Sequence, residues 1–441
     1  MLKRKIEVYI DEFLRPRPQK ILIIDGARQT GKTFIIRQVG QRLFKNFVEI
    51  NMLDDSLNER NFAQATSVSM FYLQLSAIAG GKLGTKDDTL VFIDEIQAYP
   101  HLMTLLKFLN QDNRYTFIAS GSELGITLFK TLSIPMGSIV IKHLYPLDFE
   151  EFLWANGTGT DVINHCNECF LKRESLSDSL HRFFMDSFRK YLLVGGLPEA
   201  VQSYVDNTNM ALVRQIQAHT HEYYAVDASR YDQENRLKIR RIYDMMPSVL
   251  ENKKKRMVVR DIEGNPNKRY KDYQDEFDYL IASGIALDVK AISNPVFPLV
   301  ESISKNLLKL YLNDVGILTG ILYQNNINAI LNDQKSVNLG TVYESVVAQE
   351  LKAHGFNLFY YDNKQKGEVD FLVDDYDNLS VMPIEIKSGK DYAIHSALNL
   401  FLENDDYKAK NAIVLCNDGR ISEKKGITYM PIYNVMFMKN Q

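Results

Sequence analysis

Residues 26–33 read Gly-Ala-Arg-Gln-Thr-Gly-Lys-Thr and come directly after the apolar run 21–24. This spacing fits the phosphate-binding loop G-x-x-x-x-G-K-[ST], placed between a buried strand and a helix. The glycines of such a loop let backbone N–H groups face the phosphates, and the helix N-terminus adds its dipole. We expect Lys32 to contact the β- and γ-phosphates and the Thr33 hydroxyl to bind Mg²⁺. The segment therefore predicts binding of ATP with Mg²⁺, the alternative being a chance match to the pattern.

Two adjacent carboxylates, Asp94 and Glu95, end a second apolar run, residues 90–93. Carboxyl ends of parallel strands are where ligands of open α/β sheets bind. We predict that Asp94 holds Mg²⁺ and that Glu95 polarises the attacking water, which favours hydrolysis over binding alone. The alternative is a pair of exposed acids in a loop. The predicted nucleotide-binding residues are Gly26, Arg28, Gln29, Thr30, Gly31, Lys32, Thr33 and Asp94.

A third strand, residues 115–119, is followed by Ser120-Gly121-Ser122. Ser120 is the candidate for a polar side chain that senses the γ-phosphate. A simple Ser/Gly turn after a strand is the competing interpretation. With Lys32 and Glu95, Ser120 completes the predicted catalytic set of the ATP site.

A second set of charged residues lies near the C-terminus. Glu368 and Asp370 share one face of a predicted strand, and Glu385 and Lys387 share one face of the next, because side chains two apart point the same way. Glu344 lies on the apolar stripe of a predicted helix, where a carboxylate is costly unless it is paired or metal-bound. These are the parts of a PD-(D/E)-x-K nuclease site. In that hypothesis the carboxylates hold Mg²⁺ and the lysine orients the nucleophile.

The predicted metal ligands of the two sites are Thr33, Asp94, Glu344, Asp370 and Glu385, and Lys387 is a predicted catalytic residue. The alternative for the second set is a pair of surface strands with outward charges.

The elements that position these residues suggest an α/β chain of three parts. Residues 1–150 alternate strands with helices, which predicts a parallel sheet. Its predicted strands are 21–25, 47–51, 89–94, 115–120 and 139–143. Residues 151–300 are mostly helical and winged-helix-like, with a short strand at 257–259. Residues 301–441 return to strand patterns and form a nuclease-like α/β domain.

A basic segment, residues 236–271, lies in the middle part and carries a net charge of +8, from twelve cations and four acids. One interpretation is a surface that binds DNA. The other is a solvated face with no ligand. The cations are Arg236, Lys238, Arg240, Arg241, Lys253, Lys254, Lys255, Arg256, Arg260, Lys268, Arg269 and Lys271.

The composition of the 441 residues narrows the class of protein. A net charge of −3 gives no nucleic-acid signal for the whole chain. Three cysteines make a disulfide framework unexpected and fit a reducing cytoplasm. We find no apolar run long enough to cross a membrane. The sequence leaves the oligomeric state open, including a homo-oligomer.

These motifs, in this order, resemble a large prokaryotic family of AAA-type ATPases fused to a C-terminal domain of unknown function. The resemblance implies an ATPase core, a helical and winged-helix-like middle, and a restriction-endonuclease-like C-terminal fold. One departure is Ser138, where relatives often carry a basic residue after the glycine that matches Gly137. The matching segments are 26–33, 94–95, 120–122, 146–152, 195–200, 243–247, 312–318, 368–371 and 385–389.

Two functions follow from these expectations. In the first, ATP turnover is coupled to a metal-dependent nuclease that acts on DNA. In the second, the ATPase is a switch and the nuclease-like fold binds a protein partner or nucleic acid without cleaving it. The complete carboxylate and lysine set favours the first function, and the nearly neutral net charge favours the second.

Overall fold

The computed structural model describes residues 2–440 apart from 123, 126–136, 229–235, 253, 332–338, 364–366 and 390–394. Lys253 of the basic segment, and the side chain of Arg236, therefore lie outside the described residues. The chain divides into two compact units. The N-terminal unit comprises Lys3–Tyr145 with Ala282–Gly284, and the C-terminal unit comprises mainly Pro146–Ile281 and Ile285–Gln441. The predicted three-domain boundaries stay predictions.

The N-terminal unit alternates strands with helices from its first residues. Its elements are α1 Lys5–Leu14, β1 Ile21–Asp25, α2 Lys32–Leu43, β2 Asn46–Asn51, α3 Met52–Leu57, α4 Val68–Ala79, β3 Thr89–Asp94, α5 Pro100–Asp112, β4 Thr116–Gly121 and β5 Ile139–His143.

The five strands of this unit form one parallel sheet in the order β2-β3-β4-β1-β5. Both faces of the sheet are buried, because Ile21 and Ile23 belong to one apolar core and Leu22 and Ile24 to another. Burial on both faces explains why β1 and β3 are nearly continuous apolar runs, which made them recognisable in the sequence. The predicted parallel sheet and its strands are confirmed, with limits that differ by one residue at most.

The C-terminal unit begins with helices and ends with a mixed sheet. Its helices are α6 Phe149–Ala155, α7 Thr160–Lys172, α8 Asp178–Val194, α9 Pro198–Asn207, α10 Met210–Ala228, α11 Arg236–Glu251, α12 Val259–Glu263, α13 Gln274–Ala282, α14 Val315–Tyr323, α15 Asn328–Leu331, α16 Gly340–Ala353 and α17 Ser396–Leu402. Its strands are β6 Ala286–Ile292, β7 Ile303–Leu312, β8 Phe359–Asn363, β9 Gly367–Asp375, β10 Ser380–Lys387, β11 Ala412–Cys416, β12 Ser422–Lys424 and β13 Ile427–Pro431.

The eight strands of this unit lie in the order β12-β13-β11-β10-β9-β8-β6-β7. Neighbours β8, β9 and β10 run antiparallel, whereas β11 runs parallel to β10. The sequence order around them is a helix (α16), three antiparallel strands, a second helix (α17) and a parallel strand. This order brings the helix of Glu344 and the strands of Asp370 and Glu385 into one region.

The short strand predicted at Met257–Val259 is wrong. Residues 257 and 258 are irregular, and Val259 begins helix α12. Met257 donates a backbone hydrogen bond of 2.9 Å to Leu308, but that bond does not continue into a ladder along the edge strand β7. The winged-helix interpretation therefore loses the strand on which it depended.

Helices α8 and α9 are separated at Gly195-Gly196, and Asp314 fixes this break. Asp314 accepts a hydrogen bond of 2.6 Å from the Gly196 N–H. Gly195 has φ of +72°, and a Cβ atom there would lie 2.2 Å from Oδ1 of Asp314. Glycine is therefore required by both the backbone conformation and the close approach of the carboxylate.

Candidate ATP site and carboxylate cluster

The loop between β1 and α2 has the backbone that phosphate binding requires. Gly26 and Gly31 both have positive φ, +144° and +93°. A Cβ atom on Gly26 would lie 2.3 Å from the Leu144 carbonyl oxygen, so no larger residue fits there. Within the loop the buried Thr30 hydroxyl donates to the Ala27 carbonyl at 2.9 Å, and Gln29 also has positive φ, +63°. Arg28 and Gln29 lie between these two glycines, and their contact with a nucleotide stays a prediction.

Lys32 is buried at the start of α2 and folds back over the loop. Its ammonium group donates to the carbonyl oxygens of Gly26 and Ala27 at 2.9 and 2.8 Å. Burial lowers the pKa of Lys32, and the nearby carboxylates of Glu95, Asp25 and Asp94 oppose that shift. The cation is thus held where it can turn from backbone carbonyls to phosphate oxygens.

Asp94, at the end of β3, receives hydroxyl groups from two other elements. The Thr33 hydroxyl donates to Oδ2 of Asp94 at 2.9 Å, and the Ser120 hydroxyl donates to Oδ1. Burial raises the pKa of Asp94, and the hydrogen bond from Ser120 opposes this rise. Three residues predicted from separate motifs are therefore in contact at the carboxyl edge of the sheet.

The oxygens of Thr33 and Asp94 suit Mg²⁺. Mg²⁺ binds oxygen ligands at 2.0–2.1 Å in octahedral geometry, which places adjacent ligand oxygens about 2.9 Å apart. The Thr33 and Asp94 oxygens are 2.9 Å apart in the structure. This donor pair fits two neighbouring positions of a magnesium shell.

Glu95 is held by two side chains that the sequence analysis did not single out. Gln97 donates to Oε2 of Glu95, and the Ser122 hydroxyl donates to the same oxygen at 3.2 Å. Glu95 also has φ of +51°, a left-handed conformation that is uncommon for a residue with a side chain. The second serine of the Ser120-Gly121-Ser122 segment was the signal that could have identified this contact.

A short distant segment completes the N-terminal unit beside the loop. Ala282–Gly284 belongs to this unit although it comes well over a hundred residues after β5. Gly284 has φ of +74°, and a Cβ atom there would lie 3.0 Å from the Ala27 nitrogen. Nothing in the sequence placed residue 284 next to the phosphate-binding loop.

In the C-terminal unit, Glu344 on α16 is only 2% exposed and is surrounded by donors. Lys309 donates to Oε1 at 3.2 Å, Tyr311 donates to the same oxygen, and Lys255 forms an ion pair with Oε2. Burial alone would raise the pKa of Glu344, but the two lysines outweigh it and lower the pKa to about 2. Glu344 is therefore ionised and neutralised by cations of the same chain.

Lys309 is the residue of this cluster that the sequence analysis missed. Its side chain is 1% exposed and lies between Glu344 and Glu368, with 2.5 Å from Nζ to the Glu368 carboxylate. Despite burial, which lowers it, the pKa of Lys309 is raised by these carboxylates. A lysine between Leu308 and Leu310 in an apolar run was the available signal, because a buried cation needs a partner.

Asp370, Glu385 and Lys387 lie on adjacent strands beside Glu344. Asp370 accepts a hydrogen bond of 2.9 Å from the Ile386 N–H, and Lys387 contacts Oε1 of Glu385 at 2.8 Å. The other oxygen of Glu385, Oε2, is buried without a hydrogen-bond partner. Burial raises the pKa of Asp370 well above its usual range, and Glu385 and Glu344 raise it further.

These carboxylates are close enough to interact, as the hypothesis requires. Among the residues that the structure describes, no group of three or more His, Cys, Asp or Glu side chains is arranged to hold a metal ion. Both oxygens of Glu344 are engaged by lysines and a tyrosine, whereas Oε2 of Glu385 has no hydrogen-bond partner. Metal binding by Glu344, Asp370 and Glu385 together stays a prediction.

The described cations of the basic segment include three that pair with glutamates and five that line one cavity. Lys238, Arg240 and Lys255 form ion pairs with Glu276, Glu222 and Glu344. The cations from Arg256 to Lys271 line a cavity.

No helix among the described residues is both long and apolar enough to span a membrane.

Three stretches of the chain match known protein families. Residues 18–153 match a family described as an AAA domain. Residues 185–328 match a domain of unknown function, DUF8612, and residues 339–435 match another, DUF4143. The AAA domain match supports ATP binding and hydrolysis by the N-terminal unit, and it leaves the activity of the C-terminal unit open.

Individual relatives are distant. The chain is 25% identical over 368 residues to the uncharacterized protein MJ1544 of Methanocaldococcus jannaschii, covering 81% of this chain and 72% of that protein. The Walker-type ATPase PABY2304 of Pyrococcus abyssi is 13% identical, with TM-score 0.45, over 73% of this chain and 96% of that one. The RuvB Holliday junction branch migration motor of Thermotoga maritima is 13% identical, with TM-score 0.30, and the match covers 65% of this chain and 89% of that one.

Proposed function

We propose that this protein hydrolyses ATP at the carboxyl edge of the parallel sheet and couples turnover to a nuclease-like C-terminal unit that acts on DNA. The observation that carries the ATPase assignment is the contact of Thr33 and Ser120 with Asp94. This contact joins the start of α2 to the ends of β3 and β4, and the buried Lys32 precedes Thr33 at the start of α2.

Each residue then has a defined role in hydrolysis. Lys32 exchanges its carbonyl partners for β- and γ-phosphate oxygens. Thr33 and Asp94 would hold Mg²⁺, which would neutralise charge on those oxygens. Glu95 accepts a proton from water as the water oxygen bonds to the γ-phosphorus and the bond to the β,γ-bridging oxygen breaks. The products are ADP and phosphate. Ser120, which donates to Asp94, would respond to the γ-phosphate.

Gln97 and Ser122 are positioning residues for Glu95. Because both donate to Oε2, they fix the carboxylate while leaving Oε1 for the water. A base held by neighbours loses less freedom when the reacting geometry forms.

The contacts of Asp370, Glu385 and Lys387 support the nuclease-like part of the proposal. Asp370 and Glu385 would hold Mg²⁺, and Lys387 would orient the attacking water. The unpartnered buried oxygen of Glu385 supports this role, since such an atom is costly unless a ligand or ion satisfies it.

A second candidate function is a switch whose nuclease-like fold binds without cleaving. The observation that favours it is the pairing of Glu344 with Lys255 and Lys309. Two lysines supply the positive charge that a divalent cation would otherwise provide. In that case the cluster is a structural ion-pair network, and ATP turnover controls binding alone.

One experiment separates the two candidates. Wild type, Asp370→Asn and Lys32→Ala are incubated with Mn²⁺ and single-stranded, duplex or branched DNA, with and without ATP. Cleavage that disappears in Asp370→Asn supports the nuclease, and its dependence on ATP and Lys32 tests the coupling. Absence of cleavage, with no Mn²⁺-induced rise in the melting temperature of Lys32→Ala, leaves the non-cleaving switch.

A further inference from the structure

A cavity of about 610 Å³ in the C-terminal unit is lined by five basic side chains: Arg256, Arg260, Lys268, Arg269 and Lys271. Its volume lies in the range of ligand pockets, roughly 300–1,000 Å³. These cations come from the irregular residues before α12, from α12 itself and from the segment that precedes α13. The fold thus collects one part of the basic segment around a single concave surface.

The charge of this cavity is poorly compensated. Within the described part of the chain, Lys268, Arg269 and Lys271 form no ion pair. Arg260 contacts Asp261 at 3.7 Å, but both side chains are largely exposed, and such pairs contribute little. Arg256 pairs with Asp362 at 3.2 Å. The cavity therefore keeps an excess of positive charge that an anionic ligand can neutralise.

The cavity lies next to the carboxylate cluster. Leu307 lines the cavity and Lys309 contacts Glu344. These residues share one face of β7, about 6.6 Å apart at roughly 3.3 Å per residue. Arg256 of the cavity also directly follows Lys255, which pairs with Glu344. The cavity and the cluster therefore draw on neighbouring residues of β7 and of the segment before α12.

We propose that this cavity binds the phosphodiester backbone of one nucleic-acid strand and directs it toward the carboxylate cluster. Several separate cations suit a ligand with repeated phosphates better than a single small anion. Tyr270 also lines the cavity and stacks on Phe277, with ring centroids 5.3 Å apart. A supported aromatic ring of this kind accepts a stacked base. The proposal rests on the proposed action on nucleic acid, but it holds for a cleaving or a non-cleaving unit.

The test measures binding of dye-labelled single-stranded DNA to the full chain by fluorescence anisotropy over a series of salt concentrations. The cavity variant carries Lys268→Glu, Arg269→Glu and Lys271→Glu. The control carries the same charge change at exposed lysines of the same unit, through Lys410→Glu, Lys424→Glu and Lys425→Glu. Circular dichroism of both variants checks that they fold.

The cavity variant should lose at least about tenfold in affinity, and its log–log salt slope should flatten by about 2, since each lost contact to a single strand removes about 0.7. The control variant should differ little from wild type. Equal losses in both variants would overturn the cavity assignment while leaving nucleic-acid binding in place. No binding by wild type, with ATP turnover intact, would instead remove the DNA part of the proposed function. Displacement by polyglutamate as effective as by unlabelled DNA would identify an acidic protein as the ligand and overturn the proposal.

Discussion

Replacing Lys309 with methionine removes an ammonium group that contacts both Glu344 and Glu368 while keeping a side chain of similar length. Glu344 is 2% exposed, so its carboxylate cannot recover the lost partner from water. Its pKa is lowered from 4.5 to about 2, which corresponds to roughly 3 kcal/mol of preference for the ionised form in the folded state. Removing one partner of a buried ion pair costs about 3–5 kcal/mol. We therefore expect Lys309→Met to lower the free energy of unfolding by about 3 kcal/mol at pH 7.

The assay is urea unfolding followed by tryptophan fluorescence. Trp154, the single tryptophan of the chain, lies in α6 and reports on the C-terminal unit. Lys424→Met, an exposed lysine on β12 of the same sheet, is the control and should change the free energy of unfolding by less than about 0.5 kcal/mol. Adding Glu344→Gln to Lys309→Met should recover part of the loss, because the unpaired buried charge is then absent.

The pH dependence has a definite sign. A carboxyl whose folded pKa is depressed stabilises the protein above its unfolded pKa and loses that effect as pH falls through the folded pKa. For Glu344 this window runs from about 4.5 down to about 2. The difference in the free energy of unfolding between wild type and Lys309→Met should become smaller as the pH falls across this window. Two results would refute the assignment of Lys309 as the counter-ion of Glu344. One is a decrease in the free energy of unfolding of less than about 1 kcal/mol at pH 7, and the other is a difference from wild type that grows as the pH falls.

Three further substitutions test other parts of the structure. Gly284→Ala should weaken nucleotide binding by several-fold in a fluorescent-ATP titration, because its Cβ would press on the Ala27 nitrogen; unchanged affinity would contradict that packing. Thr33→Val should lower Mg²⁺-dependent ATP turnover by at least about tenfold while preserving metal-free nucleotide binding, and equal losses of both would argue against a metal-ligand role. Asp314→Ala should lower the free energy of unfolding by about 1–3 kcal/mol through the unsatisfied Gly196 N–H, whereas Asp314→Asn should cost less because it keeps an acceptor; equal costs would place the effect elsewhere.

The strands and motifs of the N-terminal unit could be predicted because each depends on residues that are neighbours in the sequence. Strands β1 and β3 are largely apolar and of ordinary length. Residues 26–33 directly follow β1, and Asp94 is the last residue of β3. Parallel pairing then brings the carboxyl ends together without any further information. The contacts of Thr33 and Ser120 with Asp94 follow from that geometry.

The C-terminal cluster was only partly predictable because its counter-ions are distant in sequence. Alternation within β9 and β10 identified Asp370, Glu385 and Lys387, but Lys255 and Lys309 lie 89 and 35 residues from Glu344. A net charge of +8 over residues 236–271 indicated a basic surface, yet it could not show that Lys255 turns inward to Glu344 while Lys268 and Lys271 line a cavity. Pairing of this kind is decided by tertiary packing.

ATP turnover by Glu95→Gln, measured together with its ATP affinity, tests whether Glu95 is the base in ATP hydrolysis. The substitution removes the proton acceptor but keeps the side-chain size and an acceptor oxygen for Gln97 and Ser122. We expect Glu95→Gln to bind ATP and Mg²⁺ with nearly wild-type affinity, whereas its rate of ATP hydrolysis should fall by about 100-fold or more. Lys32→Ala, in contrast, should lose binding itself. Undiminished hydrolysis by Glu95→Gln would contradict the assignment of Glu95 as the base and, with it, the proposed mechanism.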